Sequence, residues 1–350
     1  MSNKFETLLE AFDNTPLPPG KIPPRLLASL LKLPRKTGPN LLIGPGLGED
    51  AAVISLEQNT VVAASDPITF KTPEPGYYAV HINANDIAVM GGEPEFFLLT
   101  IIAPPGTTEK KIAKVMIETI AAGDDLDITL IGGHSEISEA VKELIVSVTM
   151  FGRLIRPRPL RTGDGRPGDA IIQVGPLGVE GTSILADHYW QEIEKEFGGS
   201  FAERAQGFLS DPGISVAAPA RLAAEKLEVH AMHDPTEGGL ATGLLEMAQA
   251  SNLGLTITRD ALLIREETEA LCRFLNHDPL GLISSGCLLF TLAADEASTA
   301  IDLMADSGFM AAKIGFLTEN RGEYRMQIKD GEYQPLPVFA VDELAASEKK

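Results

Sequence analysis

Asn83-Ala-Asn85-Asp86-Ile-Ala-Val-Met-Gly91-Gly92 places three polar residues of low helix propensity inside an otherwise apolar segment. The surrounding Tyr77–Met90 reads as a buried helix ending at Gly91-Gly92, a pair suited to a C-cap. Burying a carboxylate is costly unless it is paired, hydrogen-bonded or bound to a cation. An Asx cap is the ordinary use of Asn and Asp at a helix, but a cap belongs at the start, and these residues sit in the middle. Asp86 therefore reads as a metal ligand.

Working outward, Ala51–Leu56 and Thr60–Ala64 read as strands, rich in β-branched residues and bounded by turn formers. Phe96–Ile102 is a strand closed by Pro104-Pro105. Thr107–Ala122 is an amphipathic helix capped by Thr107 or Thr108. Ile128–Ile131 and Glu143–Phe151 supply further strands. Arg153–Asp169, dense in proline and glycine, is the best boundary between domains. Beyond it come strand Ala170–Val174, a helix-rich stretch Gly181–Glu228 and strand Val229–Met232. Helix Gly239–Ala250, strand Leu255–Thr258, helix Arg265–Asn276 and strand Leu288–Leu292 follow, then helix Asp295–Ser307 and strand Ala311–Phe316. A hairpin turns at Asp330-Gly331, and the tail Val341–Lys350 reads as frayed. Residues 1–40, with short helical stretches at Phe5–Phe12 and Pro24–Leu33, read as a mobile arm. The expected organisation is arm 1–40, a first domain 41–155 and a second domain 168–340. Strands and helices mix without a regular βαβ beat, so the fold class is α+β.

Four other segments are unusual for a plain core. Gly44-Pro-Gly46-Leu-Gly48-Glu49-Asp50 is a glycine-rich loop whose amides can approach phosphates, though such turns before strands are common. No Lys-Ser or Lys-Thr follows, so it is not a Walker loop. Asp66 ends an apolar strand in Ser65-Asp66-Pro67, where aspartate is often a turn former. Ile131-Gly132-Gly133-His134-Ser-Glu136 reads as a glycine turn leaving a strand, and a lone histidine there is more often structural than a ligand. Met232-His233-Asp234-Pro-Thr236-Glu-Gly238-Gly239 delivers Asp234 to a glycine-rich helix start with Thr236 as N-cap, a ready anion site. Asp50, Asp66, Asp86 and Asp234, without a His or Cys cluster, suit a hard, oxygen-ligated cation: Mg²⁺ bridging phosphates, not zinc.

The bulk composition agrees. Of 350 residues, 44% are hydrophobic and 22% charged, and 29 basic against 49 acidic residues give a net charge of −20. That field repels nucleic acid and anionic membranes, and the arginines between Arg153 and Arg166 read as a solvated linker. No signal-peptide pattern or membrane-length apolar run is present, and two cysteines, Cys272 and Cys287, cannot form a disulfide framework. The expectation is a reduced, cytoplasmic protein.

In register, these segments resemble the superfamily of aminoimidazole ribonucleotide synthetase, thiamine-phosphate kinase, selenophosphate synthetase and the hydrogenase maturation factor HypE. Gly48-Glu-Asp-Ala-Ala-Val53 is similar to its G-D-D-A-A-V, and Asn85-Asp86-Ile-Ala-Val-Met-Gly91 to its N-D-[IL]-A-x-x-G. Asp234-Pro-Thr-Glu-Gly-Gly-Leu-Ala241 is similar to the HypE form D-P-T-R-G-G-L-A, and Ile283-Ser-Ser-Gly286 to its S-S-G turn. The resemblance spans roughly residues 41–316. It implies a PurM-like two-domain fold: an N-terminal α/β domain that dimerises and binds ATP, and a C-terminal α+β domain that closes over the substrate. It further implies Mg²⁺ on Asp50, Asp66 and Asp86, with nucleotide contacts from Gly44, Gly46, Gly48, Asn85 and the Gly132-Gly133-His134 segment. Asp234 and Gly238-Gly239 would face the phosphates, Asp50 and Asp234 serving catalysis. The shared chemistry is phosphorylation of an amide, thioamide or similar oxygen on a small-molecule or protein-presented substrate.

Departures from the pattern narrow the choice. Glu49 replaces the first aspartate of G-D-D, and Gly132-Gly-His134-Ser stands where thiamine-phosphate kinases have G-G-D-T and aminoimidazole synthetases G-G-E-T. No cysteine precedes Cys272 and none lies in the tail, unlike the reactive cysteine of selenophosphate synthetases and the tail carrier of HypE. The implied protein is aminoimidazole synthetase-related and HypE-like, with its substrate undefined. The alternatives are a carbamoyl dehydratase of hydrogenase maturation acting on a carboxamide held elsewhere, and a non-catalytic, ATP-gated maturation scaffold.

Overall fold

The computed structural model describes residues 40–347 except 45, 47, 48, 57, 58, 71 and 330, together with Leu26, Ala28 and Ser29. The arm expected over residues 1–40 lies almost wholly outside the described residues, as does Gly48.

Two sheets organise the chain. The first holds β1 (Leu41–Ile43), β2 (Ala52–Leu56), β3 (Asn59–Ile68), β4 (Gly92–Ala103), β5 (Thr129–Ile137) and β6 (Ile145–Leu154), in the order β1-β2-β3-β6-β4-β5. The second holds β7 (Ala170–Val174), β8 (Ala231–His233), β9 (Gly254–Thr258), β10 (Leu288–Leu292), β11 (Ala311–Thr318), β12 (Tyr324–Lys329) and β13 (Glu332–Pro335), in the order β13-β12-β9-β11-β7-β10-β8. Pairing is antiparallel except between β4 and β5 and between β9 and β12. This predominance of antiparallel ladders fits the α+β class.

The first sheet is covered on one face by α1 (Pro75–Val89) and α2 (Glu109–Asp125). Its central strand β6 alternates buried and half-buried residues along its length, the period-2 pattern of a strand with one dry face. Every residue of α1 except Tyr77 and Ile82 is buried, because the helix has partners on more than one side. Its Ala79 and Ile87, with the C-cap Met90, pack with Val62 and Met150 of the first sheet and with Ile184 and Ile214 of the second half, while Ala88 and Val89 join Ala220 and Phe290. This explains its near-continuous apolar sequence. Thr108 caps α2, its hydroxyl accepting from Lys111 N at 3.2 Å.

The centre of the second sheet is sealed on both faces, while β13 at its edge is exposed along its length. All residues of β7 and β10 are buried. Ile171 and Leu289 meet α7 (Gly239–Ala250) on one side. On the other, Ile172 and Phe290 meet α6 (Ala217–Lys226) and α9 (Ala297–Asp306). The remaining helices of this half are α3 (Val179–His188), α4 (Trp190–Phe197), α5 (Gly199–Gln206), α8 (Glu266–Leu275) and the terminal α10 (Glu343–Ser347). No helix among the described residues is long and apolar enough to cross a membrane.

Two sequence expectations change. The glycines after Ile131 make no turn: β5 runs through them, with Gly132 and Gly133 paired to Leu98 and Leu99 of β4. A Cβ on Gly133 would lie 1.8 Å from the Leu99 carbonyl oxygen, so Gly133 serves close strand contact. The tail is not frayed over its described part. Phe339 packs against Gly281, His277 Nδ1 bonds Glu343 Oε2 at 2.8 Å, and Leu344 joins two hydrophobic clusters.

Candidate functional site

Asp50 lies two residues before β2, and Asp234 directly follows β8, so each sits where a sheet hands the chain to a loop. Folding brings them together around His233, the last residue of β8. Ligand atoms of Asp50, His233 and Asp234 all lie within 4.8 Å of one another, the one such group of three among the described residues. His233 Nδ1 is 3.1 Å from Asp50 Oδ2, and Nε2 is 3.0 Å from Glu246 Oε2 on α7. Thr162, in the linker between the sheets, donates its hydroxyl to Asp50 Oδ2 at 3.1 Å or to Met232 O at 3.3 Å. Burial works against a charged His233, but the flanking carboxylates of Asp50 and Glu246 outweigh it and raise the imidazole well above its ordinary value.

Asp66 and Asp86 are not part of that group. The register Ala52–Ala63 puts Asp50 and Asp66 at the same end of the β2–β3 ladder, with the Asp66 side chain exposed. Asn83 fixes that strand end: its Oδ1 accepts from Asp66 N at 2.8 Å, and its Nδ2 donates to Asp66 O and Ala79 O. Asp86 is buried three residues further along α1, on the same helical face as Asn83. Asn85 points elsewhere. Its Nδ2 donates to Ile214 O and its Oδ1 accepts from Val216 N, both at 2.8 Å, which ties α1 to the start of α6. Its amide is spent on holding the two halves together.

The glycine-rich start of α7 differs from the expected cap. The N-cap is Gly238, in the left-handed region at φ 79°, and Thr236 contributes its backbone carbonyl, accepting from Gly239 N at 3.0 Å. Gly239, at φ 65°, must lack a side chain because a Cβ would sit 2.5 Å from Leu280 O. The Gly238 amide is already engaged: Asp342 Oδ2 from the tail accepts from it at 2.7 Å. Burial, with a contribution from the Glu237 charge, pushes Asp342 up to about 6 against three backbone donors. Beside it, fully buried Glu180 in the first turn of α3 is pushed up to about 7, chiefly by desolvation, with Ser285 pulling the other way and Asp342 adding repulsion.

In the N-terminal loop, Gly44 and Gly46 precede Glu49, which pairs with Arg161 through Nε at 2.8 Å. His134 stands exposed on β5 with Nε2 3.3 Å from Glu136 Oε2. The structure thus unites Asp50 with Asp234, leaves Asp66 exposed at the same ladder end and Asp86 buried on α1, and leaves Gly132, Gly133 and His134 on the edge strand. His233, Thr162, Glu180, Glu246 and Asp342 were not anticipated. His233 stood beside Asp234 in the quoted motif, but its partner Asp50 is far away in sequence and no spacing rule could pair them.

Residues 48–154 match the N-terminal domain of AIR synthase related protein, and residues 166–327 match its C-terminal domain. Carbamoyl dehydratase HypE of Azotobacter vinelandii is 30% identical over 275 residues, covering 76% of this chain and 77% of its own. The hydrogenase expression/formation protein HupE of Azotobacter chroococcum is 29% identical over 277 residues, covering 77% and 78%. In fold, the chain is similar to hydrogenase maturation protein HypE solved in complex with ATP, with a TM-score of 0.70 at 22% identity over 98% of this chain and 96% of the other. Both sheets, the loops that carry Asp50 and Asp234, and the match over both halves place this chain in the AIR synthase related protein family.

Proposed function

We propose that this chain is an ATP- and Mg²⁺-dependent enzyme that phosphorylates an amide-like or carbonyl oxygen, turning it into a leaving group. The observation that carries the reading is the meeting of Asp50 and Asp234, from opposite halves of the chain, at one buried cluster. The donor set fits the cofactor. Asp50, Asp66 and Asp86 offer hard oxygen ligands at one end of the first sheet, suited to magnesium. Asp234 and the glycine turn at α7 face them from the second half. Magnesium-bound ATP would supply the transferable phosphoryl group and neutralise its charge. At α7 the fit has a condition: a phosphate reaching the Gly238 amide must displace the Asp342 carboxylate.

The chain's own part is positioning and exclusion of water. Asn83 holds the Asp66 backbone, Asn85 locks α1 to the second half, and Thr162 orients Asp50. Neither Cys272 nor Cys287 is suited to carry an acyl group. Cys272 and Cys287 are both buried, and burial pushes the Cys272 thiol up to about 12 and Cys287 higher still. That supports an acceptor carboxamide that is free or presented by another protein, and the likeness to a carbamoyl dehydratase supports a carbamoyl-type group. The half-covered first sheet, with Phe96 exposed and Leu98, Ile102 and Phe151 half-buried, supports a homodimer through that face.

ATP consumption in Mg²⁺, with and without carboxamides, tests the reading. Stimulation by a carboxamide is expected, and ATP use indifferent to every carboxamide contradicts it. Asp86→Asn should keep the fold and lose Mg-ATP binding, so unchanged ATP affinity by calorimetry would sink its metal role. Mass spectrometry after incubation with a carbamoyl donor and ATP should show no adduct on Cys272 or Cys287.

A further inference from the structure

We infer that Asp50, His233 and Asp234 form a nitrogen-containing site for a first-row transition cation such as Mn²⁺, distinct in preference from the magnesium expected on the aspartates alone. His233 Nδ1 and Asp50 Oδ2 are 3.1 Å apart. Two ligands at right angles around one ion, with bonds of about 2.1 Å, are separated by about 3.0 Å. All three ligand atoms lie within 4.8 Å of one another, close to the width of one coordination sphere. The second ring nitrogen completes the argument. Nε2 lies 3.0 Å from Glu246 Oε2, so a proton kept on Nε2 donates to Glu246, and loss of the Nδ1 proton leaves the Nδ1 lone pair facing Asp50. A carboxylate behind a ligating histidine is the arrangement that orients such ligands. On binding, the ion takes the place of the proton shared by Nδ1 and Asp50, which leaves to solvent.

An imidazole beside two carboxylates favours Mn²⁺, Co²⁺ or Zn²⁺ over Mg²⁺, which takes oxygen donors. The inference shares Asp50 with the proposed function but needs no nucleotide, so the two fail separately. The test uses the full chain without ATP. Mn²⁺ bound to it should show ¹⁴N coupling in pulsed electron paramagnetic resonance, replaced by ¹⁵N coupling when only histidine is labelled. His233→Gln should bind Co²⁺ at least about tenfold more weakly relative to Mg²⁺, and Glu246→Gln about tenfold more weakly, the usual weight of an outer partner. Absent histidine coupling, no binding of Mn²⁺ or Co²⁺ by the wild-type chain, or undiminished Co²⁺ affinity in a folded His233→Gln protein would each overturn the site. Histidine coupling in a chain that uses no ATP would leave this site standing and sink the proposed function.

Discussion

The two sheets of this protein solve the same problem differently. β7 and β10 are buried at every residue, with helices on both sides, whereas β4 and β6 keep one face dry and leave the other half-covered. β5, at the edge of the first sheet, has exposed residues almost throughout, including Ile131 and Ile137. A sealed sheet is a finished core. A sheet with Phe96, Leu98 and Ile102 on its open face and a long bare edge is the kind that natural proteins cover with a partner. The difference puts the most completely buried strands in the second half and an uncovered apolar face in the first.

The sharpest way to break this contrast is to place a charge on each sheet. Phe290→Glu buries an uncompensated carboxylate at a fully buried position and should remove more than about 4 kcal/mol, enough to abolish folding. Leu98→Glu, on the open face, should leave a folded monomer while weakening the proposed dimer at least about thirtyfold. Circular dichroism and light scattering read the two effects. A Leu98→Glu protein that unfolds, or that stays dimeric, would erase the distinction.

Next in size is the joint between the halves. Asn85→Ala strands the Ile214 carbonyl and the Val216 amide, and should cost about 2–4 kcal/mol in chemical denaturation. If the halves were independent, the midpoint would barely move.

Acidity gives a third, smaller probe confined to the second half. Glu180 is raised from 4.5 to about 7, so the folded state keeps its proton while the unfolded chain releases it. Its contribution to stability is full below pH 4.5 and is lost as pH rises through 7. Glu180→Gln should therefore flatten the fall in stability across that window and gain roughly 2–3 kcal/mol at pH 8. An unchanged pH profile would remove the buried carboxyl from the account. The smallest effect is expected at Asp342→Asn, which keeps an oxygen for the Gly238 amide but removes the charge at the α7 N-terminus. Lost attraction to the helix dipole and relief of a buried charge oppose each other, so stability should change by under about 1 kcal/mol, with faster hydrogen exchange at Gly238 as the readout.

Much of this was legible in the sequence where pattern and burial coincide. Ala170–Val174, Gly239–Ala250 and Leu288–Leu292 form over the residues their apolar runs predict. β5 was misread because Gly-Gly usually signals a turn, and only the nearness of Leu99 explains glycine in a paired strand. The Asx-rich interior of α1 was recognised as unusual, but its meaning divided on folding. Asn83 and Asn85 bond backbone in β3 and before α6, whereas Asp86 lies buried on the face shared with Asn83. At the site, Asp50 and Asp234 were singled out separately, but their union through His233 depends on how two sheets pack. Asp342 was hidden because a polar tail with no apolar period gives no sign that one of its carboxylates caps a distant helix.

The central claim is that the protein activates a carboxamide oxygen with ATP, and oxygen isotope transfer tests it most directly. A peptide bearing S-carbamoylcysteine, with ¹⁸O in the carbamoyl group, is incubated with the protein, ATP and Mg²⁺, and the released phosphate is examined by ³¹P nuclear magnetic resonance. The account predicts ¹⁸O in the inorganic phosphate, one atom for each carbamoyl group consumed. Phosphate that carries only unlabelled oxygen, or a carbamoyl group left intact, would contradict it.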